Sequence, residues 1–179
     1  GGGTTEIAVM SLGGVVFSKS LRVAGDAMDG AIISYMRKKF NLLIGESTAE
    51  KIKKEIGTAI PTSNNIFLMK GRDIRTGTPK EISLTEEDAC EALMPILSQM
   101  LAAIKEALES TPPELSADLV DMGLVLTGGG ALLKNIDKLI SKDTGLPVTI
   151  ADNPLECVAM GTGKALENEE LFSTMLSEY

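Results

Sequence analysis

The chain has 179 residues, 44% of them hydrophobic, so it is long enough to bury a core in one domain or in two small ones. Its formal net charge is -8 and its 17 Lys and Arg residues are scattered, which argues against DNA or RNA as a partner because a phosphate backbone needs a basic stripe. The sequence contains no histidine, which excludes Ser-His and Cys-His nucleophile pairs and histidine-based zinc sites.

The two cysteines, Cys90 and Cys157, lie far apart and in no metal-ligand spacing, which favours a reducing, cytosolic compartment over a disulfide framework. The sequence shows no run of about eighteen apolar residues and no signal-peptide pattern. We therefore expect a cytosolic globular protein. The opening three glycines are an unusual start for a domain and indicate a tag remnant or a start within a longer protein.

The first predicted elements are two strands and a helix. The segments TTEIAVM and VVFSKSLRVAG are rich in strand-forming residues, and the Gly13-Gly14 pair between them suits a hairpin turn with positive φ. Apolar residues at helical spacing predict a helix over Asp26–Phe40, with Asp26 as its cap and a basic last turn.

The middle of the chain predicts a second helix and a pair of strands. Ser47 and Glu50 have capping-box spacing ahead of a helix that runs to Ile56. Turn-forming residues then surround two candidate strands, near Ile66–Lys70 and Lys80–Leu84.

The C-terminal part alternates helices with short strands. A long amphipathic helix is expected from Thr85 to about Ser110, with a kink at Pro95, followed by a short helix after two prolines. The remaining predicted elements are a strand over Gly123–Leu126, a helix over Leu132–Ile140, a strand over Pro147–Ile150, and helices over Pro154–Leu166 and Glu169–Ser177.

This order predicts an α/β fold with a mixed sheet flanked by helices and a small α+β subdomain inserted into it. We assign residues 1–40 and 111–179 to the core subdomain and residues 41–110 to the insertion.

Two glycine-rich loops are candidate phosphate sites, because a backbone without Cβ atoms can bring several N–H donors close to an oxyanion. Gly1, Gly2, Gly3 and Thr4 precede a strand, whereas Gly128–Gly130 follows a strand and opens a helical pattern. The alternative for each loop is a tight turn or close helix packing. Neither a Rossmann fingerprint nor a Walker A loop is complete in this sequence.

Charged residues near two helix starts are weaker candidates. Glu50, Lys53 and Lys54 line the second helix, where a solvated face is the alternative to ligand binding. Asp26 and Asp29 have the spacing of a metal pair, but helix capping and first-turn charge explain them as well.

Several longer segments resemble the MreB family of bacterial actin homologues, which belongs to the actin-like ATPase superfamily. The segments that carry the resemblance are GGGTTEIAVMSLGG, RVAGDAMDGAIISYMRKKFNLLIGESTAEKIKKEIG, KGRDIRTGTPKEI, TPPELSADLVDMGLVLTGGGALLKNIDKLIS and NPLECVAMGTGKALE. The most specific are the GGGTTE opening, the GESTAEKIKKEIG helix and the LTGGGALL loop. The resemblance implies an actin-like (ribonuclease H-like) lobe, the C-terminal of two lobes that clamp a nucleotide.

The resemblance also assigns roles to the candidate site residues. It implies that Gly1, Gly2, Gly3 and Thr4 form a phosphate hairpin, with Thr4 helping to position the attacking water. It further implies that ribose and adenine contact Glu50, Lys53, Lys54, Gly128, Gly129, Gly130 and Ala131. The cofactors implied are ATP or ADP, with Mg²⁺ held through the nucleotide phosphates.

As a function, the resemblance implies an ATP-gated filament subunit that organises cell-wall synthesis and cell shape. The implied partners are further copies of itself, cell-shape and wall-synthesis proteins and, through the intact protein, the inner membrane face. A metabolic kinase of the same superfamily is the alternative, and a chaperone-type ATPase is a third reading. Family members carry an Asp two residues before the first glycine and a complete first lobe, so we expect both upstream of Gly1 and no ATP hydrolysis by this stretch alone.

Overall fold

The computed structural model describes residues 2–167. The strands in this range are β1 (Thr5–Ser11), β2 (Gly14–Leu21), β3 (Leu42–Leu43), β4 (Ile66–Asp73), β5 (Pro79–Thr85), β6 (Leu124–Leu126) and β7 (Val148–Ile150). The α-helices are α1 (Gly25–Phe40), α2 (Glu46–Ile56), α3 (Glu86–Glu109), α4 (Pro113–Met122), α5 (Ile136–Thr144) and α6 (Cys157–Glu167). A 3₁₀ helix covers Gly129–Leu132.

The predicted N-terminal hairpin is confirmed, because β1 and β2 pair antiparallel. The turn residues differ from the prediction: Leu12 and Gly13 have φ values of 50 and 81 degrees, whereas Gly14 is already paired with Ser11. Two consecutive left-handed residues match the right-handed twist of the strands, which explains why the turn lies one residue earlier.

Helix α1 lies where it was predicted, but its cap was predicted wrongly. The N-cap residue is Ala24, which has no side-chain capping hydrogen bond, and Asp26 lies in the first turn. The backbone N–H of Asp26 instead donates to the carbonyl oxygen of Gly2 at 2.9 Å. The glycine loop therefore takes up a donor that a capping side chain would otherwise satisfy.

The capping box predicted at Ser47 and Glu50 is also wrong. Helix α2 begins at Glu46 after the N-cap residue Gly45, so Ser47 already lies within the first turn. A capping box does occur at α3, where the Thr85 hydroxyl accepts from the Asp88 N–H and the Asp88 carboxylate accepts from the Thr85 N–H.

The middle strands are confirmed and form an antiparallel sheet in the order β3-β4-β5. Strand β3, which the sequence analysis missed, has only two residues, and Leu42 pairs with Asp73. Gly71 lies close to this strand, because a Cβ there would be 2.7 Å from Cγ of Leu42. Two residues are too few for a strand pattern to be read from sequence.

The C-terminal segment contains the predicted strands, and β6 pairs parallel with β7. The helix predicted over Leu132–Ile140 is instead divided into the 3₁₀ helix and α5. Leu133 is extended and Asn135 is left-handed, with φ of 59 degrees, so the chain turns between the two helices. The helix predicted over Glu169–Ser177 lies outside the described residues.

The core joins these elements. Its least exposed large side chains come from α1, α2, α3, β3 and β5, and the same cluster extends to α5. The cluster includes Met28, Ile32, Met36, Leu42, Ile52, Leu84, Leu93, Leu97, Ile136 and Ile140. This cluster crosses the predicted boundaries at residues 40 and 111, so the domain division stays a prediction. Parallel and antiparallel strand pairs are both present, and in residues 2–167 they are distributed over three sheets.

No helix within residues 2–167 has the length and apolar character that crossing a membrane requires.

Candidate functional site

The N-terminal glycine loop packs against the start of α1. Gly2, Gly3 and Thr4 are exposed, and Gly1 lies outside the described residues. A Cβ on Gly2 would lie 2.6 Å from Oδ1 of Asp26, much closer than an ordinary van der Waals contact. Glycine at this position therefore lets the loop approach the N-terminus of α1, where the helix dipole favours an anion.

Lys53 of α2 points to the same end of α1. Its Nζ lies 2.8 Å from Oδ2 of Asp29 and donates to the carbonyl oxygen of Gly25 at 3.0 Å. The two charged side chains are only 17% and 14% exposed. Lys53 is therefore not part of a solvated helix face.

Asp29 has a different role from the two considered in the sequence analysis. Its carboxylate does not cap α1, and among residues 2–167 it belongs to no group of three or more metal-ligating side chains. It pairs with Lys53 through Oδ2, while Oδ1 is buried and has no hydrogen-bond partner in the described structure. A buried acceptor without a partner is costly, so this atom is suited to a donor from a ligand or a water molecule.

Glu50 and Lys54 lie on the outer side of α2. They form an ion pair one helical turn apart, 2.7 Å between Oε1 and Nζ, with side chains 49% and 68% exposed. The hydrogen bond from Lys54 lowers the pKa of Glu50, and the same bond raises the pKa of Lys54. This geometry agrees with a solvated helix face and leaves both side chains accessible.

The second glycine loop follows β6 and leads into the 3₁₀ helix. Gly128 has φ of 78 degrees, and its N–H donates to the carbonyl oxygen of Pro154 at 2.8 Å. Gly129 and Gly130 are exposed, whereas Ala131 is 4% exposed and faces the interior. A Cβ on Gly130 would meet no atom within 4 Å, so the surface beside this loop is open.

A short connection ties the 3₁₀ helix to the C-terminal end of α2. The N–H of Ala59 donates to the carbonyl oxygen of Lys134 at 2.8 Å, and Nζ of Lys134 donates to the carbonyl oxygen of Glu55 at 2.9 Å. Since Lys53 contacts the start of α1, helix α2 links both glycine loops. The structure thus brings the predicted loop and helix segments into one connected region.

Two residues of this region were missed by the sequence analysis. Asn135 donates from its amide to the carbonyl oxygen of Ile60, and Glu86 accepts from the N–H groups of Thr62 and Ser63. Asn135 could have been suspected, since Asn is the residue most tolerant of a left-handed conformation after glycine. The sequence gives no indication that Glu86 has a special role, because acidic residues are common in the first turn of a helix.

Neither cysteine belongs to the site. Cys90 is buried, and its thiol lies 3.4 Å from the carbonyl oxygen of Ala59. Burial raises the pKa of the Cys90 thiol, which disfavours the nucleophilic thiolate. Cys157 is partly exposed at the start of α6.

A family model supports the resemblance seen in the sequence. The model described as "MreB/Mbl protein" matches residues 1–174. Cell shape-determining protein MreB of Escherichia coli (strain K12) is 51% identical over 168 residues, covering 93% of this chain and 48% of that protein. Cell shape-determining protein Mbl of Bacillus subtilis (strain 168) is 45% identical over 169 residues, covering 94% of this chain and 51% of that protein. The chain spans about half the length of these relatives.

Solved structures show the same fold. A crystal structure of MreB5 of Spiroplasma citri bound to AMPPNP has a TM-score of 0.90 at 39% identity, covering 94% of this chain and 51% of that one. The ADP-bound structure of the same protein also has a TM-score of 0.90, covering 97% of this chain and 53% of that one. A MamK double helical filament has a TM-score of 0.72 at 20% identity, covering 87% of this chain and 48% of that one, and indicates similarity of fold alone. The predicted actin-like α/β fold is confirmed.

Proposed function

The chain belongs to the MreB/Mbl family, and we propose that it is the ATP-binding lobe of a filament-forming bacterial actin that helps to determine cell shape. The observation that carries the proposal is the family match over residues 1–174, to a family whose relatives in Escherichia coli and Bacillus subtilis are named cell shape-determining proteins. These relatives favour a cytoskeletal role over the metabolic kinase alternative.

The nucleotide in this proposal is ATP or ADP. The neighbouring MreB5 structures contain AMPPNP and ADP, and they match this chain over almost its whole length. The geometry of the region around α2 is compatible with such a ligand: a glycine loop lies against the N-terminus of α1, a buried carboxylate oxygen lacks a donor, and a second glycine loop is open on one side.

The phosphates would contact the loop of Gly1, Gly2, Gly3 and Thr4. In such a loop the absence of Cβ atoms lets backbone N–H groups approach phosphate oxygens, and the dipole of α1 adds a favourable field. The Thr4 side chain would orient a water molecule in the intact protein. Bound Mg²⁺ would neutralise charge on the phosphates.

The adenosine would contact α2 and the second loop, through Glu50, Lys53, Lys54 and Gly128–Ala131. The Lys53 ammonium has three donors, and Asp29 and the Gly25 carbonyl take two of them. The third donor is available for a ribose oxygen. The exposed Glu50 and Lys54 side chains are free to move toward a base or a sugar without a large loss of burial.

The proposed partners are further copies of the protein in a protofilament, together with cell-shape and wall-synthesis proteins. The proposed location is the cytoplasm, with the intact protein at the inner membrane face. ATP hydrolysis is assigned to the intact protein, because this chain spans about half the length of its relatives.

Sedimentation of the full-length protein tests this proposal. We expect the wild-type protein to bind ATP and to pellet in an ATP-dependent manner, and we expect Lys53→Met to weaken both. Lys105→Met is the matched control, since Lys105 pairs with Asp143 on the surface far along α3. A protein that pellets under no nucleotide condition and transfers phosphate to a small metabolite would show that the kinase alternative is correct.

A further inference from the structure

A partly buried polar cluster lies beside the C-terminal end of α2 and the turn that precedes α5. It consists of Glu86 at the start of α3, Asn135 before α5, and the segment Thr58–Ser63 that passes between them. We call these residues the Glu86–Asn135 cluster. None of them belongs to the two glycine loops or to the charged face of α2.

Glu86 holds one side of the segment. It is 2% exposed, and its Oε2 accepts the backbone N–H groups of Thr62 and Ser63, each at 3.0 Å. Its Oε1 lies 3.9 Å from Nζ of Lys134. Helix α3 does not need Glu86 for capping, because the capping box of Thr85 and Asp88 already satisfies its first turn. The hydrogen bonds of the Glu86 carboxylate therefore serve to fix the segment Thr58–Ser63.

Asn135 holds the other side. Its amide Nδ2 donates to the carbonyl oxygen of Ile60 at 2.9 Å and to the hydroxyl of Thr58 at 3.2 Å. Thr58 is fully buried, and its hydroxyl also donates to the carbonyl oxygen of Ile60 at 2.6 Å. The left-handed backbone of Asn135 aims its amide back at the segment instead of along α5.

The segment connects the two elements that would hold the adenosine. Helix α2 ends at Ile56, two residues before Thr58, and the 3₁₀ helix ends at Leu132, two residues before Lys134. Residues 58 and 134 pair in a parallel bridge. A shift of the segment would therefore change the position of α2 relative to the 3₁₀ helix while leaving each helix intact.

We propose that Glu86 and Asn135 are positioning residues that set the spacing between α2 and the 3₁₀ helix, and thereby the fit of the adenosine. This inference rests on the proposed function, because it concerns the same nucleotide site. In the described part of the N-terminal loop, Gly2 is hydrogen-bonded to α1, because its carbonyl oxygen accepts the Asp26 N–H. Loss of the cluster should therefore weaken contacts to the adenosine and spare contacts to the phosphates.

The experiment measures Kd values of the full-length protein for ATP and for inorganic tripolyphosphate. For Glu86→Ala we expect the Kd for ATP to rise about tenfold and the Kd for tripolyphosphate to stay within about twofold. Glu86→Gln keeps an oxygen acceptor for the two N–H groups, so its Kd for ATP should stay within about threefold of wild type. A purely structural role would not separate the two ligands.

Asn135→Asp provides a second, independent variant. It tolerates the left-handed backbone but places an oxygen opposite the Ile60 carbonyl, so we expect the same selective loss of ATP affinity. Asn41→Asp is the matched control, because Asn41 is also left-handed, with φ of 53 degrees, and ends α1 away from the cluster. Should Glu86→Ala fail to fold, Asn135→Asp carries the test.

Two negative results are distinguishable. If the wild-type protein binds tripolyphosphate no more weakly than ATP, or binds no adenine nucleotide, the proposed function is wrong and the inference is wrong with it. If the wild-type protein prefers ATP and both variants keep that preference unchanged, the proposed function stands and the positioning role of Glu86 and Asn135 is overturned.

Discussion

The buried Lys53 and Asp29 side chains should stabilise the fold through a measurable coupling free energy. The exposed pair of Glu50 and Lys54 on the same helix should not. At the observed 2.8 Å separation, and with an effective dielectric constant of about 20, the Coulomb attraction is about 6 kcal/mol. Removing the two groups from water offsets most of this attraction, because their side chains are only 17% and 14% exposed. We expect a net coupling free energy of about 1.5 kcal/mol.

A double-mutant cycle measures this coupling. Urea unfolding of the full-length wild type, Lys53→Met, Asp29→Asn and the double variant gives the four free energies of unfolding that the cycle needs. Lys53→Met should cost the most, about 2 kcal/mol, because it leaves the Asp29 carboxylate buried with neither oxygen paired. In Asp29→Asn, Lys53 keeps an oxygen acceptor and the Gly25 carbonyl.

The control cycle uses Glu50→Gln and Lys54→Met. The Glu50 Oε1 and Lys54 Nζ atoms are 2.7 Å apart, but both side chains are exposed to solvent. Their coupling free energy should therefore be close to zero. Coupling between Lys53 and Asp29 that is no larger than coupling between Lys54 and Glu50 would refute the reasoning, since burial would then make no difference.

Three further predictions concern the surrounding fold. Gly123→Ala should destabilise the full-length protein by about 3 kcal/mol in urea unfolding, because a Cβ would lie 2.3 Å from the Pro147 carbonyl oxygen at a φ of 70 degrees. Gly145→Ala is the matched control. Its φ is 76 degrees but its Cβ would meet no other atom, so it should cost only about 1 kcal/mol. Thr85→Ala removes the acceptor for the Asp88 N–H and should cost about 1 kcal/mol by thermal unfolding, whereas an unchanged melting temperature would contradict the capping role. Hydrogen bonds from Thr62 and, to a smaller extent, from Ser63 lower the pKa of Glu86 in the folded protein. The ionised Glu86 carboxylate therefore contributes its full stabilisation above the unfolded pKa of about 4.3. This stabilisation is lost as the pH falls through the lower folded pKa. Urea unfolding between about pH 3 and pH 5 should therefore show a smaller loss of stability for Glu86→Gln than for wild type.

The sequence by itself determined most of the local structure. Periodicity and turn residues located the N-terminal hairpin, helix α1, the strand pair β4 and β5, and the long helix α3. These elements are long enough to carry their own pattern, and their boundaries are set by neighbours in sequence. The family followed from three short motifs, GGGTTE, GESTAEKIKKEIG and LTGGGALL, because such combinations of glycine loops and charged helix residues are too specific for a generic α/β domain.

Details that depend on contacts across the chain could not be predicted locally. Asp26 looked like a cap, but the carbonyl of Gly2 takes its N–H, which requires the glycine loop to return to α1. The Ser47 spacing matched a capping box with Ser47 as the N-cap residue, yet the N-cap residue is Gly45, two positions earlier. The pattern over Leu132–Ile140 looked continuous, but the fixed contacts of Lys134 and Asn135 with the segment after α2 divide it. At Asp26, and at Lys134 and Asn135, a hydrogen bond to a distant segment took the place of the expected local pattern.

The candidate site shows the same division. The glycine residues and their positions in loops can be read from the sequence, and they predict which segments approach a phosphate. Only the tertiary structure showed that Lys53 is buried against Asp29 while Glu50 and Lys54, its neighbours on the same helix, remain in solvent. Burial depends on which helix packs against which face, and that packing joins residues 24 positions apart. Sequence spacing therefore singled out the candidate residues, and packing decided which of their charges are fixed in place.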